Sequence, residues 1–436
     1  MRLIVTCLLF LVFSRPAFAF LTITEVESPQ SRLSAWLVED SRLPIVTIKL
    51  TWRGGTASDP DGKSGLTSLL SSLMNEGAGE RNGARFQEAM ANIGLQFGFE
   101  ADIDSLSATI RFMTSYRADA EALLTDAFSE PRFDDEAIAR MKSELNAIIA
   151  YNKQNPGKVA REAWFASAFP KHPYGRPSDG KPEETARLTR QDLIAHHASL
   201  LARDNLYIAA VGDISRQQLE QFLDRVLGAL PARNSASLPP AQQPITGRLA
   251  VQPWQGPQSA VVFGLPGVAT SDPDFFAAYV MNYILGGGGF ASRLMEELRE
   301  KRGLTYGVYS NLHEIAGAPL WLGQFASQKD KVREGLNLLQ AEMRKMRETR
   351  PTEEELEATK NYLIGAYALL FDSGSSIAQQ MINVQWRGWS RDYFENRSAK
   401  IRAVSAADVQ RIAQRLLSPD DLLVQIVGQP EDHSPD

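Results

Sequence analysis

The sequence predicts an α+β chain built as two tandem, homologous α/β-sandwich domains, and three observations carry that reading. Its 436 residues, 44% of them hydrophobic, are enough to bury more than one core. Segments that alternate like strands are interleaved with segments of helical spacing. The second half also repeats the first: Ser58-Asp59-Pro60-Asp61 recurs as Ser271-Asp272-Pro273-Asp274, and Arg85-Phe86-Gln87-Glu88 with Gly94-Leu95 recurs as Arg293-Leu294-Met295-Glu296 with Gly303-Leu304. Lys142 matches Lys360, Asp192 matches Asp408, and Val211-Gly212 matches Val427-Gly428. The offsets stay between 208 and 218, so chance explains them poorly. Each copy has about 200 residues, a common domain size.

The chain opens with Arg2, the apolar run Leu3 to Phe13 and the small residues of Ala17-Phe18-Ala19. That is the pattern of a secretory leader, residues 1–19, removed on export. An uncleaved anchor is the rival, but Arg15 and Pro16 interrupt a run too short to span about 30 Å of hydrocarbon. The expectation is an exported chain, periplasmic in a Gram-negative source, with no stable membrane anchor once the leader is gone. Cys7, the single cysteine, falls inside the leader, so the mature chain has no thiol for a disulfide, a nucleophile or a metal. The formal charge of -6 becomes about -8 without Arg2 and Arg15, which argues against a nucleic-acid partner.

In the first domain, residues 20–231, Ala35 to Val38 and Ile45 to Trp52 read as strands around the turn residues Asp40 to Pro44. A loop from Gly54 to Gly62 precedes a helix from Ser64 that carries Leu66, Leu69, Leu70 and Leu73 on one face. Helices follow between Asp119 and Ala168, then the turn-rich His172 to Pro177, a helix from Arg190 to Leu201, and a strand from Leu206 to Val211. Residues 232–248, with Pro239, Pro240 and Pro244 among Ser, Gln and Asn, read as a linker to the second domain, 249–430, which a short tail, 431–436, follows.

Leu285 to Ser310 is the most informative stretch of the second domain. Gly286 to Gly289 leads into a helix with Leu294, Met295 and Leu298 on one side, Gly303 breaks it, and Leu304 to Tyr309 alternates as a strand. Arg299 and Tyr306 then point into one space, offering a guanidinium fork and a phenol to a peptide carbonyl. The first copy has Ala91 or Asn92 and Phe97 at those positions, so the polar pair exists only in the second. Taken alone, Arg299 reads as part of a solvated charged face and Tyr306 as a half-buried strand residue. The glycine cluster lacks the G-K-[ST] of a phosphate cradle and reads otherwise as a turn that lets helices pack closely. His196 and His197 project about 100° apart and are poor joint ligands. Asp192 and His196, at i and i+4, are placed for a surface ion or, more simply, a solvated pair. His172, before a proline, reads as structural, and Asp372 to Ser376 as a polar loop between helices.

Ser292-Arg293-Leu294 leading into Leu298 to Tyr306, the His172 to Pro177 turn, and Val211-Gly212-Asp213 resemble the pitrilysin-type (insulinase) zinc peptidases. The likeness is to the two-domain subgroup that includes the mitochondrial processing peptidase, and it spans Ala35 to Val427. Active members carry an H-x-x-E-H helix for zinc, and in two-chain members the other chain supplies an arginine and a tyrosine. The resemblance puts Ser68 and Ser72 at the two histidine positions, Ser71 at the glutamate, and Ala147 or Ile148 at the last carboxylate, with Glu144 a turn away. Neutral hydroxyls are poor zinc ligands and serine is no carboxylate base. The resemblance therefore implies no zinc or other cofactor in this chain, and a homologous zinc-bearing partner that closes with it around a peptide. Arg299 and Tyr306 would bind substrate backbone, Tyr306 near the oxyanion, with Gly286, Gly287, Gly288 and Gly289 as a substrate-contacting loop. The other reading is a non-enzymatic peptide-binding or scaffold protein. A stand-alone hydrolase with a displaced metal site has too few histidines to build from. The acidic balance points weakly to cationic peptides.

Overall fold

The computed structural model describes residues 22–236, 238, 240 and 243–429; the leader with Cys7 and the tail lie outside them. The first half supplies strands Thr24–Glu27 (β1), Ser34–Glu39 (β2), Ile45–Arg53 (β3), Gln96–Ala101 (β4), Ser105–Met113 (β5) and Leu206–Gly212 (β6). β2 and β3 are not neighbours, because β6 inserts between them, parallel to β2 and antiparallel to β3. β5 then pairs with β3, and β4 closes the far edge.

Leu249–Pro253 (β7), Gln258–Pro266 (β8), Val308–Ile315 (β9), Ala318–Gln328 (β10) and Leu423–Gly428 (β11) form the second sheet. Its path is the same: β7 runs parallel to β11, then β8, β10 and β9 follow antiparallel. Within the first sheet, β1 alone has no counterpart among the described residues of the second. The strand expected to begin at Leu304 begins at Val308, for a reason visible in the loop before it.

Among the helices that frame the two sheets and the cavities between them are Leu66–Leu73 (α1), Asp135–Asn152 (α2), Pro156–Ala168 (α3), Arg190–Leu200 (α4), Phe275–Asn282 (α5), Val332–Glu348 (α6) and Gly374–Trp386 (α7). Each half has its own core: Leu69, Leu70 and Leu73 of α1 share one cluster with Ile48 and Phe112, while Leu285, Leu298 and Leu339 share another with Phe263 and Trp321. The opposite face of each sheet is covered from the other half. α3 lies across β8 and β11, where Ala160, Trp164 and Phe165 meet Val262, Leu423 and Val427. α7 lies across β3 and β6, where Ile377, Ala378 and Met381 meet Trp36, Ala209 and Val211.

These two helices are equivalent in the repeat, and each is 13 residues long. Each starts on a polar cap: Asn155 Oδ1 accepts from Gly157 and Lys158 N–H, and Ser373 Oγ accepts from Ser376 N–H. The serine run expected as a loop is thus a cap and a first helical turn. Polar bonds fix both crossings. Trp164 Nε1 donates to the Leu423 carbonyl at 3.0 Å, Gln385 Nε2 to the Ile208 carbonyl at 3.0 Å, and Lys49 Nζ to Gln379 Oε1 at 2.7 Å. Burial on both faces explains why β3 and β6 are buried almost continuously, whereas β5 alternates.

Gly264 lies under the Trp164 ring, and a Cβ there would stand 2.5 Å from Trp164 Cζ2. Gly264→Ala is expected to destabilise through this clash, and Trp164→Ala through the cavity left, by about 3–5 kcal/mol. Because the halves share these helices, urea unfolding of both variants should remain a single transition at lower midpoint. Separate melting of the two halves would contradict the shared core.

Candidate functional site

The α1 helix engages all three serine hydroxyls with backbone carbonyls. Asp59, buried, accepts from the N–H groups of Gly65, Leu66 and Thr67 at 2.8, 3.1 and 2.9 Å and caps the helix from a distance. On its outer face Ser71 Oγ donates to the Ser68 carbonyl at 2.8 Å and Ser72 Oγ to the Leu69 carbonyl at 2.9 Å, so both hydroxyls fold back onto their own helix. Ser68 Oγ reaches the Ser178 carbonyl at 3.2 Å. Ile148, at one of the two positions expected for the last carboxylate, is half exposed and lines a cavity of about 850 Å³ between the first sheet, α2, α3 and α7. Glu144 is not part of that lining. No group of three or more His, Cys, Asp or Glu side chains among the described residues is placed to hold a metal ion.

In the second half the chain is wound wide where the sequence reads as an ordinary helix. Tyr283–Gly287 and Met295–Glu300 are π-helical turns, a form that recurs at functional sites. The second ends with Gly303 at φ +61°, its N–H on the Arg299 carbonyl and Leu304 N–H on the Leu298 carbonyl. Ser327 Oγ then holds the Leu304 carbonyl at 2.6 Å, and Thr305 Oγ1 bonds both the N–H and the carbonyl of Gly307. This clamp bends the backbone across residues 304–307 and delays the strand to Val308. Tyr306 stands at the bend, 84% exposed, and its hydroxyl bonds no described residue.

Beneath the loop is a buried polar hub that the sequence reading missed. Asn282 Oδ1 accepts from Ser310 Oγ at 2.8 Å and Trp321 Nε1 at 2.9 Å, while its Nδ2 donates to the Ser310 carbonyl at 3.1 Å. α5 is thereby tied to β9 and β10. Three of the four glycines are explained by packing: a Cβ on Gly286 would meet Ser310 Oγ at 2.4 Å, on Gly287 Asn282 Nδ2 at 2.6 Å, and on Gly288 the Tyr283 carbonyl at 2.8 Å. Gly289 has φ +56°.

Tyr306 lines a second cavity, about 670 Å³, with Gln258 and Gln324 from the second sheet and the first turns of α3. Arg299 is not part of that lining. Its guanidinium lies 4.3 Å from the ring centroid of Phe290, itself exposed, and 3.6 Å from Glu300. Lys158 and Arg161 of α3 line both cavities and mark where they meet. The partner position in the first copy, Phe97, is buried among Phe99 and Phe128.

Residues 36–180 match the family described as insulinase (peptidase family M16), and residues 187–363 match the peptidase M16 inactive domain. The chain belongs to peptidase family M16. A relative from Helicobacter pylori, described as non-peptidase homolog YmxG, is 23% identical over 407 residues, 93% of this chain and 94% of its own. The probable mitochondrial-processing peptidase subunit beta of Schizosaccharomyces pombe is 22% identical over 409 residues, 88% of this chain and 87% of its own. Among solved structures, the peptidase M16 inactive domain from Pseudomonas fluorescens superposes with a TM-score of 0.87 at 27% identity, covering 95% of this chain and 100% of that one. The fold is thus that of the two-domain M16 peptidases. The zinc of active M16 members does not fit the residues that the resemblance puts at its positions: three α1 hydroxyls, two of them committed to their own helix, and the aliphatic Ala147 or Ile148.

The histidines of this M16 chain are structural where the structure describes them closely. His172 caps Tyr174 N–H at 3.2 Å. His196 is neither solvated nor at a surface ion site: it is buried, with Nε2 2.8 Å from Thr67 Oγ1, while Asp192 pairs with Lys63 and caps α4. His313 lines the larger cavity, and His433 lies outside the described residues. Burial pushes His196 and His197 down to about 4 from an ordinary 6.5, so both are neutral in the fold and protonated in the unfolded chain between those values. The unfolded chain then binds more protons, and stability falls as pH drops from about 6.5 towards 4. Asp59, pushed up to about 6 by burial, opposes part of this, since it takes up a proton in the fold first. His313, pushed down to about 4 by burial, acts with the other two, and these three large shifts outweigh that of Asp59 and the smaller rises of Asp104 and Glu162, also caused by burial. The midpoint of thermal unfolding should therefore fall over that window, and His197→Phe, which removes a buried Nε2 with no partner, should make the fall markedly shallower in circular dichroism melts.

Proposed function

We propose that this M16 chain is the non-zinc subunit of a heterodimeric metallopeptidase. Its homologous partner supplies the metal and the general base, and the pair works in an exported compartment, the periplasm of a Gram-negative source. Tyr306 carries this reading. A phenol that is 84% exposed, bonded to no described residue and fixed on a clamped loop over a cavity is a donor waiting for an acceptor from outside the chain. Such a donor suits a carbonyl of an extended peptide and, beside a partner's zinc site, the oxyanion of the tetrahedral intermediate. The loss of chemistry from α1 supports it, as does the likeness to proteins named as processing-peptidase subunits. Arg299 joins Tyr306 by leaving Phe290, a contact worth only about 0.5–1 kcal/mol at an exposed site. The glycine-rich turn, Gly286 to Gly289, with Phe290 after it, serves as the substrate-contacting loop.

The present position of Arg299, outside the Tyr306 cavity, favours a second reading, a peptide-binding or scaffold protein with no part in hydrolysis. Reconstitution with a co-purifying zinc-bearing chain separates the two. Under the first reading Tyr306→Phe lowers kcat by about 10²-fold with assembly intact. Arg299→Ala chiefly raises KM, since it removes backbone binding. Unchanged steady-state kinetics in both variants, or a chain that purifies without any such partner, would leave the scaffold reading standing.

A further inference from the structure

We infer that Lys158 and Arg161 make the Tyr306 cavity a subsite for a carboxylate, supplied by an acidic side chain of a bound peptide or by its free C-terminus. The inference rests on the reading of Tyr306 as a peptide-binding residue and adds what that peptide must carry. Of the described residues lining the cavity, Lys158 and Arg161 are the only charged ones; the rest are small, apolar, aromatic or amide side chains. No aspartate or glutamate is among them.

Both cations are unspent. Neither forms an ion pair or a side-chain hydrogen bond with a described residue. Arg161 is oriented instead by the Phe165 ring, 5.2 Å from its guanidinium, which leaves the planar fork free for a bidentate partner. It is only partly exposed, and burial lowers its pKa, so its charge is under-solvated and gains from a counter-ion. Asp102 and Glu162, which act on Arg161 and Lys158 electrostatically, line the larger cavity and not this one.

Position adds to charge. Lys158 and Arg161 are three residues apart on α3, so they share a face. They stand where the two cavities meet, with Tyr306 in one and the first sheet's β5 in the other. A peptide held at Tyr306 and continuing towards the first sheet must pass them. The net charge of -6 points to cationic peptides, but a cavity's field is set by its lining, and this lining has the opposite sign.

The test is equilibrium binding to the full chain by fluorescence anisotropy. The probes are ten-residue Ala/Ser peptides with a central Glu, Gln or Lys, each with a free or an amidated C-terminus. At least one carboxylate arm should bind about tenfold tighter than its neutral counterpart, the order expected of one charge-assisted hydrogen bond. Glu over Gln in amidated peptides assigns the side chain as the source, and free over amidated in the Gln peptides assigns the C-terminus. The preference should shrink with salt, vanish in Lys158→Gln/Arg161→Gln and reverse in Lys158→Glu/Arg161→Glu, with melting temperatures showing that these variants fold. Tyr306→Phe should weaken all peptides alike and keep the ratio. Equal binding of Glu, Gln and Lys peptides with either terminus, or no binding by any of them, overturns the carboxylate subsite. A preserved charge preference with no effect of Tyr306→Phe would instead overturn the role given to Tyr306.

Discussion

Neither sheet is complete without the other half of the chain. α3 leaves the first half to cover β8 and β11, and α7 leaves the second to cover β3 and β6. Trp164 over Gly264 and Ile377 with Met381 over Trp36 and Val211 fill the two crossings. A sheet with apolar residues on both faces needs two covers, and each half supplies one for itself and one for its twin. The relative position of the halves, and with it the cavities between them, is thereby set by core packing and not by the linker.

On that shared frame the two copies have separated in chemistry. The first has closed its polar positions: two of its helix serines bond backward, Phe97 is in the core, and Asp59, Thr67 and His196 form an internal buried chain. The second keeps polarity outward at Tyr306 while spending a buried asparagine, Asn282, to hold the loop's support. Polar groups that satisfy one another add rigidity, and polar groups left without partners invite a ligand.

Much of this was legible in the residues, because a repeat reports topology even when no element does. Matching Val211-Gly212 to Val427-Gly428 identified β6 and β11, which occupy equivalent places in the two sheets. The α1 helix, with Leu66, Leu69, Leu70 and Leu73 on its core face, was equally plain. What was hidden was non-local. Nothing in the segment from Ser34 to Arg53 says that a strand about 150 residues further on, beginning at Leu206, will separate its two strands, because pairing partners are chosen by tertiary packing. An amphipathic helix likewise does not say which sheet it covers. The π-helical turns and the Thr305 clamp were invisible for a subtler reason: Leu304, Tyr306 and Val308 alternate as a strand does, and one threonine side chain outweighed that pattern. His196 and Asp192 misled in the same way, as their spacing fits a surface pair and their burial does not.

The exchange of α3 and α7 also sets an order of events during synthesis. The first sheet has all its strands once Gly212 has been made, yet the helix that covers its second face begins at Gly374. At about 5–20 residues per second that interval is roughly ten to thirty seconds. Throughout it Trp36, Val38, Ala209 and Val211 lack the cover they have in the finished chain. A nascent chain in that condition is a client for a holding chaperone, and its need for one is written into the path of the fold.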